Sequence, residues 1–276
     1  MVLFPNCKIN LGLNIIGKRP DGYHNLETVF FPVNIQDALE VIKSDNTKDE
    51  VDISLSGVSI KGNHEDNLCF KAFALLKKDF PQLPAIMVHL HKTIPTGSGL
   101  GGGSANGASM LKLLNQKFAL GLSTEQLLNY ALQLGSDCPF FIINKPCFAT
   151  GRGELLEPVS IDLSGYKFVF IIPDIHVSTS EVFSLIKPSP HSKSVKQVIQ
   201  QPIETWKKEL RNDFEEPVFE KYPELKSIKA KMYESGAIYA SMSGSGGTVY
   251  GMFRKETEFQ NDFPETYFVK ELISEL

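Results

Sequence analysis

An α+β fold in two domains is what this sequence predicts, and three observations carry the prediction. The chain has 276 residues, more than one modest core needs. Strand alternation and helical periodicity occur in both halves, without the regular strand-helix alternation of a doubly wound sheet. A stretch of loop residues, "PVSIDLSGY" at 158–166, separates the halves, so the domains are expected at 1–160 and 161–276.

The elements follow in order. "CKINLGLNII" mixes period-two alternation with β-branched residues and reads as a strand, and "LETVFFPVNI" reads as β-rich structure after a Pro20-Asp21-Gly22 turn. In "EDNLCFKAFALLKKDF", Leu68, Ala72, Leu75 and Leu76 share one helical face. "AIMVHLHK" alternates as a strand. After the glycines of 97–103, "SANGASMLKLLNQKFAL" resumes a helical pattern that stops at Gly121. Ser123 and Gln126 form a capping box for "TEQLLNYALQLG", which closes at Gly135. Asp137 then stands at a helix-to-strand junction before "CPFF". Beyond the boundary come a strand "KFVFIIP", a helix in "VSTSEVFSLI", a polar connector at 187–202, a helix "PELKSIKAKMYESG" and a hairpin "IYASMSGSGGTVYGMF". The sequence contains no internal repeat.

Composition narrows the function classes. With 42% hydrophobic and 22% charged residues the chain is an ordinary folded protein. Lys plus Arg number 28 against 32 Asp plus Glu, with no dense basic stripe, which argues for a small-molecule partner over nucleic acid. Cys7, Cys69, Cys138 and Cys147 have neither metal-site nor disulfide-scaffold spacing and point to a reducing, cytoplasmic compartment. No membrane span or targeting signal is visible.

Glycine fills five of the seven positions 97–103 in "IPTGSGLGGGSANGASML". A dinucleotide fingerprint would need an acidic residue about twenty positions on, at the end of a second strand. Glu125 instead falls in a helix start. A Walker A loop would need a lysine, and the protein-kinase loop would need His-Arg-Asp and Asp-Phe-Gly companions, none of which occurs. A tight turn alone would need only one or two glycines. Five of them leave the N–H groups of 99–104 bare at the positive end of a helix, which suits phosphate oxygens. The helix end supplies at most about 2 kcal/mol, so a polyphosphate also needs cations. Lys92 is a candidate, with an exposed strand lysine as the alternative.

These residues carry a resemblance. "PTGSGLGGGSANGA" is similar to the ATP-binding motif of the GHMP kinase superfamily, and "SMSGSGGTVYGMF" resembles its C-terminal glycine motif. "CKINLGLNIIGKRPDGYHNLETVF", "LGSDCPFF" and "VSTSEVF" resemble one branch of it, whose substrate carries a cytidine diphosphate group. The resemblance implies an ATP-binding domain at 1–160, a substrate-binding domain at 161–276 and an active site in the cleft between them. It implies ATP and Mg²⁺, with transfer of a phosphoryl group to an alcohol on the way to isoprenoid precursors. Lys8 and Asp137 would be the catalytic pair. Pro95, Gly97, Gly99, Leu100, Gly101, Gly102, Gly103 and Ser104 would hold the phosphates with Lys92. Asn67, Leu68 and Asn106 would lie on the adenosine side. Tyr23 would stack on the cytosine, His24 would hydrogen-bond it and Phe183 would close its other face, with Asn10 and Thr179 as further substrate contacts. The metal's protein ligand stays unassigned, with Ser104 open as a choice. His89 and His91 share a strand face but lack a third ligand. Two alternatives remain: a mevalonate- or homoserine-type kinase, and a catalytically silent ligand-binding member of the fold.

Overall fold

Along the chain the elements are β1 (Val2–Leu3), β2 (Asn6–Lys18), β3 (His24–Gln36), β4 (Ala38–Lys43), β5 (Val51–Gly57), α1 (Leu68–Asp79) and β6 (Ile86–Lys92). Next come α2 (Gly102–Lys117), α3 (Thr124–Leu134), α4 (Cys138–Ile143), β7 (Cys147–Thr150), β8 (Leu155–Pro158) and β9 (Tyr166–Ile172). The remainder is α5 (Thr179–Leu185), α6 (Val195–Val198), α7 (Ile203–Glu209), α8 (Glu215–Lys221), α9 (Pro223–Glu234), β10 (Tyr239–Ser243), β11 (Thr248–Arg254) and β12 (Phe268–Ile273). The computed structural model describes residues 1–45, 50–59, 63–186, 188 and 191–274. Of the polar connector at 187–202, residues 187, 189 and 190 therefore lie outside the described residues, and the rest includes α6.

The chain packs as two compact units, and neither is contiguous. The first comprises Met1–Cys7, Asn34–Thr96 and Gly101–Lys145, and the second Lys8–Val33, Gly97–Leu100 and Pro146–Leu276. A single cut at 160/161 does not describe this packing. The physical reason is that β2 and β3 are 13 residues each, long enough for their ends to belong to the first unit while their bodies belong to the second.

The first unit is a sheet of order β1-β4-β6-β5 with helices against one face. Strand β6 pairs antiparallel with β4 and parallel with β5, the one parallel pairing among these strands. Its alternation turns Ile86, Val88 and Leu90 inward, where α1 contributes Cys69, Ala72, Phe73 and Leu76 and α2 contributes Ala105, Ala108, Leu111 and Leu114. The buried face of α1 is thus rotated by about one position from the expected one, because Cys69 and Phe73 fill the core better than Leu68 and Leu75, which are half-buried. The capping box at Ser123 and Gln126 forms as expected. The "CPFF" stretch is helix α4, so Asp137 stands between two helices and not before a strand. Pro139 in its first turn has the φ a helix start requires.

The second unit holds two four-stranded sheets, β2-β3-β7-β8 and β10-β11-β9-β12. Phe31 of the first sheet meets Phe168 of the second with ring centroids 5.9 Å apart, and Tyr250 Oη donates to Asn10 O across 2.8 Å. Helices α8 and α9 bury Val218, Leu225, Ile228 and Met232 against Val169, Ile171, Ala240 and Val249. The hairpin β10–β11 has the register Tyr239↔Met252 to Ser243↔Thr248, and its turn is the second glycine-rich segment.

Candidate active site

Lys92 ends β6 with the same parity as Val88 and Leu90, so its side chain points into the first unit and is 2% exposed. A buried ammonium needs a partner. Nζ donates to the buried carboxylate of Asp37 and to Asn106 Oδ1 at 3.0 Å, while Asn106 Nδ2 donates to Asp37 Oδ2 at 2.9 Å. The alternative of an exposed strand lysine is therefore corrected: the strand alternation makes Lys92 an inward residue. The outward residues of β6 include His89 and His91. Ser54 Oγ lies 2.9 Å from His89 Nδ1, and Ser56 Oγ lies 2.9 Å from both His89 Nε2 and His91 Nδ1. This is a surface ladder, and among the described residues no group of three or more His, Cys, Asp or Glu could hold a metal.

After Lys92 the chain enters the glycine segment. Gly97, Gly99 and Gly101 have φ of +72°, +79° and +72°, with Gly101 the N-cap of α2. The first amide bonded within that helix is Ala105 N, which donates to Gly101 O at 2.9 Å, so the N–H groups of Gly102, Gly103 and Ser104 precede the intrahelical ladder. Gly103 is exposed, and a Cβ added there would meet nothing within 4 Å. Ser104 is not the helix cap, and burial pushes the nearby Cys138 thiol up to about 12 against the lowering influence of the Ser104 hydroxyl. Helix α2 packs against α4, which begins at the Asp137–Cys138 junction. Asp137 is half-buried and makes no capping hydrogen bond to α4.

The residues Gly97–Leu100 pack in the second unit. Leu100 is fully buried and its carbonyl accepts Lys8 N at 2.9 Å. Lys8 is 4% exposed; its Nζ donates to Asn10 Oδ1 at 2.6 Å and reaches Gly99 O at 3.5 Å, above the ring of Phe30. Asn10 Nδ2 continues to Thr28 Oγ1 at 3.0 Å. The hairpin turn closes on this segment: Ser243 Oγ donates to Gly99 O at 3.0 Å, and a Cβ at Gly247 would lie 3.0 Å from Gly97 O. Asn212 Nδ2 ties the turn down through Met242 O and Gly244 O, both at 2.8 Å. Thr179, at the start of α5, reaches the same turn through Ser245 Oγ at 2.8 Å.

The base-binding candidates all belong to the second unit. Tyr23 is 56% exposed, with the Arg152 guanidinium 5.0 Å from its ring centre. His24 is buried and stacks on Phe183 at 5.4 Å and 26°, while Phe183 meets Phe214 edge-on at 4.8 Å. The ring of Phe183 thus packs on His24 and Phe214. Burial, and after it the charge of Lys18, holds the His24 imidazole below the ordinary histidine value.

Candidates thus cluster by unit. Lys92, Pro95, Asn67, Leu68, Asn106, Gly101, Gly102, Gly103, Ser104 and Asp137 belong to the first, and Lys8, Asn10, Tyr23, His24, Gly97, Gly99, Leu100, Thr179 and Phe183 to the second. Asn67 caps α1 by accepting Cys69 N at 2.9 Å, and Leu68 packs over Gly107. Sequence reasoning missed Asp37, Asn212, Ser243 and Ser245. The last two lie in the quoted "SMSGSGGT" motif, while Asp37 and Asn212 carry no local signal. A cavity of about 920 Å³ in the second unit, lined by Asn14, His191, Lys193, Arg211 and Asp213 among others, contains none of the expected residues.

The family model "GHMP kinases N terminal domain" matches residues 67–145 and "GHMP kinases C terminal" matches 194–267. A 4-diphosphocytidyl-2-C-methyl-D-erythritol kinase of Bacteroides fragilis is 52% identical over 256 residues, 93% of each chain. The chain belongs to this family of GHMP kinases. A second such kinase, from Bacteroides thetaiotaomicron, is 52% identical over 96% of this chain and 95% of its own. A crystal structure of a 4-(cytidine 5'-diphospho)-2C-methyl-D-erythritol kinase superposes with a TM-score of 0.77 at 29% identity, covering 91% of this chain and 89% of the other. Methanococcus jannaschii mevalonate kinase, with a TM-score of 0.69 at 14% identity and 93% and 92% coverage, shares the GHMP fold. As a GHMP kinase the chain is an ATP-using phosphotransferase.

Proposed function

We propose that this protein transfers the γ-phosphoryl group of ATP to the 2-hydroxyl of 4-diphosphocytidyl-2-C-methyl-D-erythritol, a step of the non-mevalonate route to isoprenoid precursors. The single observation that supports this most is the 52% identity to kinases of that name across 93% or more of the chain. Fold likeness to mevalonate and homoserine kinases stands at 14–15% identity and carries no substrate argument.

The chemistry rests on the chain's own residues. The bare N–H groups of Gly102, Gly103 and Ser104 suit the phosphate oxygens of ATP: a side chain there would fill the cradle, and Gly103 leaves it open. Asp137, at the start of the helix α4 that packs against α2, takes the proton of the attacking hydroxyl, a role worth on the order of 100- to 10,000-fold. Lys8, tied to Gly99 and Leu100, stabilises charge on the transferring group. Ser104 and Asp137 are the oxygen groups that would hold Mg²⁺ here, and the ion would supply neutralisation of developing charge. Tyr23 offers an exposed face for the cytosine, while Asn10 and Thr179 line the substrate side. The helix-start part of the phosphate cradle belongs to the first unit, and Gly97, Gly99, Leu100 and the base-binding candidates belong to the second.

The four cysteines are buried and form no disulfide, which suits the cytoplasm, and no described helix is long and apolar enough to cross a membrane. An ADP-release assay run in parallel with the cytidine diphosphate substrate, mevalonate and homoserine tests the reading. Turnover is expected with the first alone; turnover of either other alcohol at a comparable rate would overturn it.

A further inference from the structure

Asp37 lies between β3 and β4, 55 residues before Lys92, and its side chain is fully buried. One carboxylate here gathers donors from three places. Oδ1 accepts Thr93 N at 2.8 Å and Ile94 N at 2.9 Å, the last residues before the glycine segment begins at Pro95. Oδ2 accepts Lys92 Nζ and Asn106 Nδ2, the latter from the second turn of α2, just after the segment ends. The Asp37 N–H in turn donates to Pro5 O at 2.9 Å, which fixes the carboxylate's own backbone. Lys92 Nζ also lies 3.3 Å from where a Cβ on Gly102 would stand, so the ammonium sits beneath the first turn of the helix.

Such an arrangement is more than a buried ion pair. A pair needed only for stability could be replaced by apolar side chains at little or no loss. Here Oδ1 takes the two amides just after β6, and Oδ2 takes Lys92 at the end of β6 together with Asn106 of α2, so the carboxylate holds the exit of β6 and the entry of α2 in one geometry. The bare amides of Gly102, Gly103 and Ser104 can offer a preformed cradle only if that first turn does not shift, because donors fixed in advance cost no reorganisation when the anion arrives. We propose that Asp37 is a positioning residue for ATP: through Lys92 and Asn106 on one side and Thr93 and Ile94 on the other, it holds the phosphate-binding turn of α2. This rests on the assignment of that turn to the nucleotide.

The test is a KM-against-kcat split on Asp37→Asn, which keeps the shape and the Oδ1 acceptor but removes the charge facing Lys92. KM for ATP should rise about tenfold, a change of about 1.4 kcal/mol, while KM for the alcohol substrate stays within about twofold. A merely structural Asp37 would lower the amount of active enzyme without moving KM for ATP, and that result overturns the proposal. The double variant Asp37→Asn, Lys92→Met, which buries no unpaired charge, should show the same selective rise. Should neither variant fold, hydrogen exchange on the wild-type protein decides: Thr93 and Ile94 amides are expected to exchange as slowly as those of β6, and exchange at the rate of exposed loop amides overturns the idea. Wild-type enzyme with no ATP-dependent turnover would instead defeat the assigned function, so the two failures are distinct.

Discussion

The molecule has two glycine-rich segments, and they are bare for different reasons. In the hairpin turn, Gly244, Gly246 and Gly247 all have positive φ and all face neighbours at close range: Gly99 O, the Val177 side chain, and Gly97 O with Ser98 Cα. The fold accounts for every one of them. In the 97–103 segment Gly99 is explained in the same way, since its φ is +79° and a Cβ would overlap Ser243 O. Gly102 is explained by Ile94, with Cγ2 at 2.9 Å from the added atom. Gly103 is not: it is helical, exposed and surrounded by open space. Glycine in a helix costs up to about 1 kcal/mol relative to alanine. A position that keeps glycine where the fold gains nothing from it points to something outside the fold, and a phosphate approaching the backbone has the required size and charge.

Two perturbations separate these two kinds of bareness and two more probe the base-binding candidates, from the largest effect to the smallest. Asp137→Ala acts on the ligand side only. Turnover should fall by about a hundredfold or more while ATP still binds, and a near-normal rate would remove Asp137 from the chemistry. Gly99→Ala acts on the packing side: a strained φ and a backbone overlap together should cost about 2 kcal/mol or more in urea unfolding, and an unchanged midpoint would contradict the interlock with the hairpin. Tyr23→Ala is remote from both segments. It should raise KM for the cytidine substrate by the roughly 1–3 kcal/mol of one stacking contact while leaving KM for ATP alone. An unchanged KM for the cytidine substrate would exclude the platform.

The smallest effect concerns His24, whose folded-state pKa lies below its unfolded value because burial, then Lys18, disfavours the charged ring. As pH falls, the unfolded chain therefore takes up the proton first. The stability this histidine allows is intact above about pH 6.5 and declines below it. Between about pH 7.5 and 5.5 the wild-type melting temperature should drop further than that of His24→Gln, and equal drops would show that the stacked ring titrates normally.

Much of this was legible in the sequence where the signal was local. The strand alternation of "AIMVHLHK", the Ser123 capping box and the glycine hairpin needed only neighbours along the chain to be read. The same alternation already marked Lys92 as inward, although a lysine there invites the opposite reading. What could not be read depends on partners far away in sequence. Asp37 neutralises Lys92 from 55 residues upstream, and Asn212 holds the hairpin turn from 30 and 32 residues before its acceptors. "CPFFII" is too short and too uniformly apolar to show a period, so α4 passed for a strand. Helix α6 was hidden in a polar connector, although Ser194 and Gln197 spell out its capping box. The stacking of His24 on Phe183 joins residues 159 positions apart, and two motifs that each pointed to the base gave no hint that they touch.

Gly103→Ala tests the central claim most directly, because the added methyl meets no protein atom within 4 Å and should disturb only what binds there. The variant should melt at the wild-type temperature or slightly above it, while KM for ATP rises about tenfold or more. A variant equally stable and with an unchanged KM for ATP would show that the first turn of α2 is not where the nucleotide's phosphates rest.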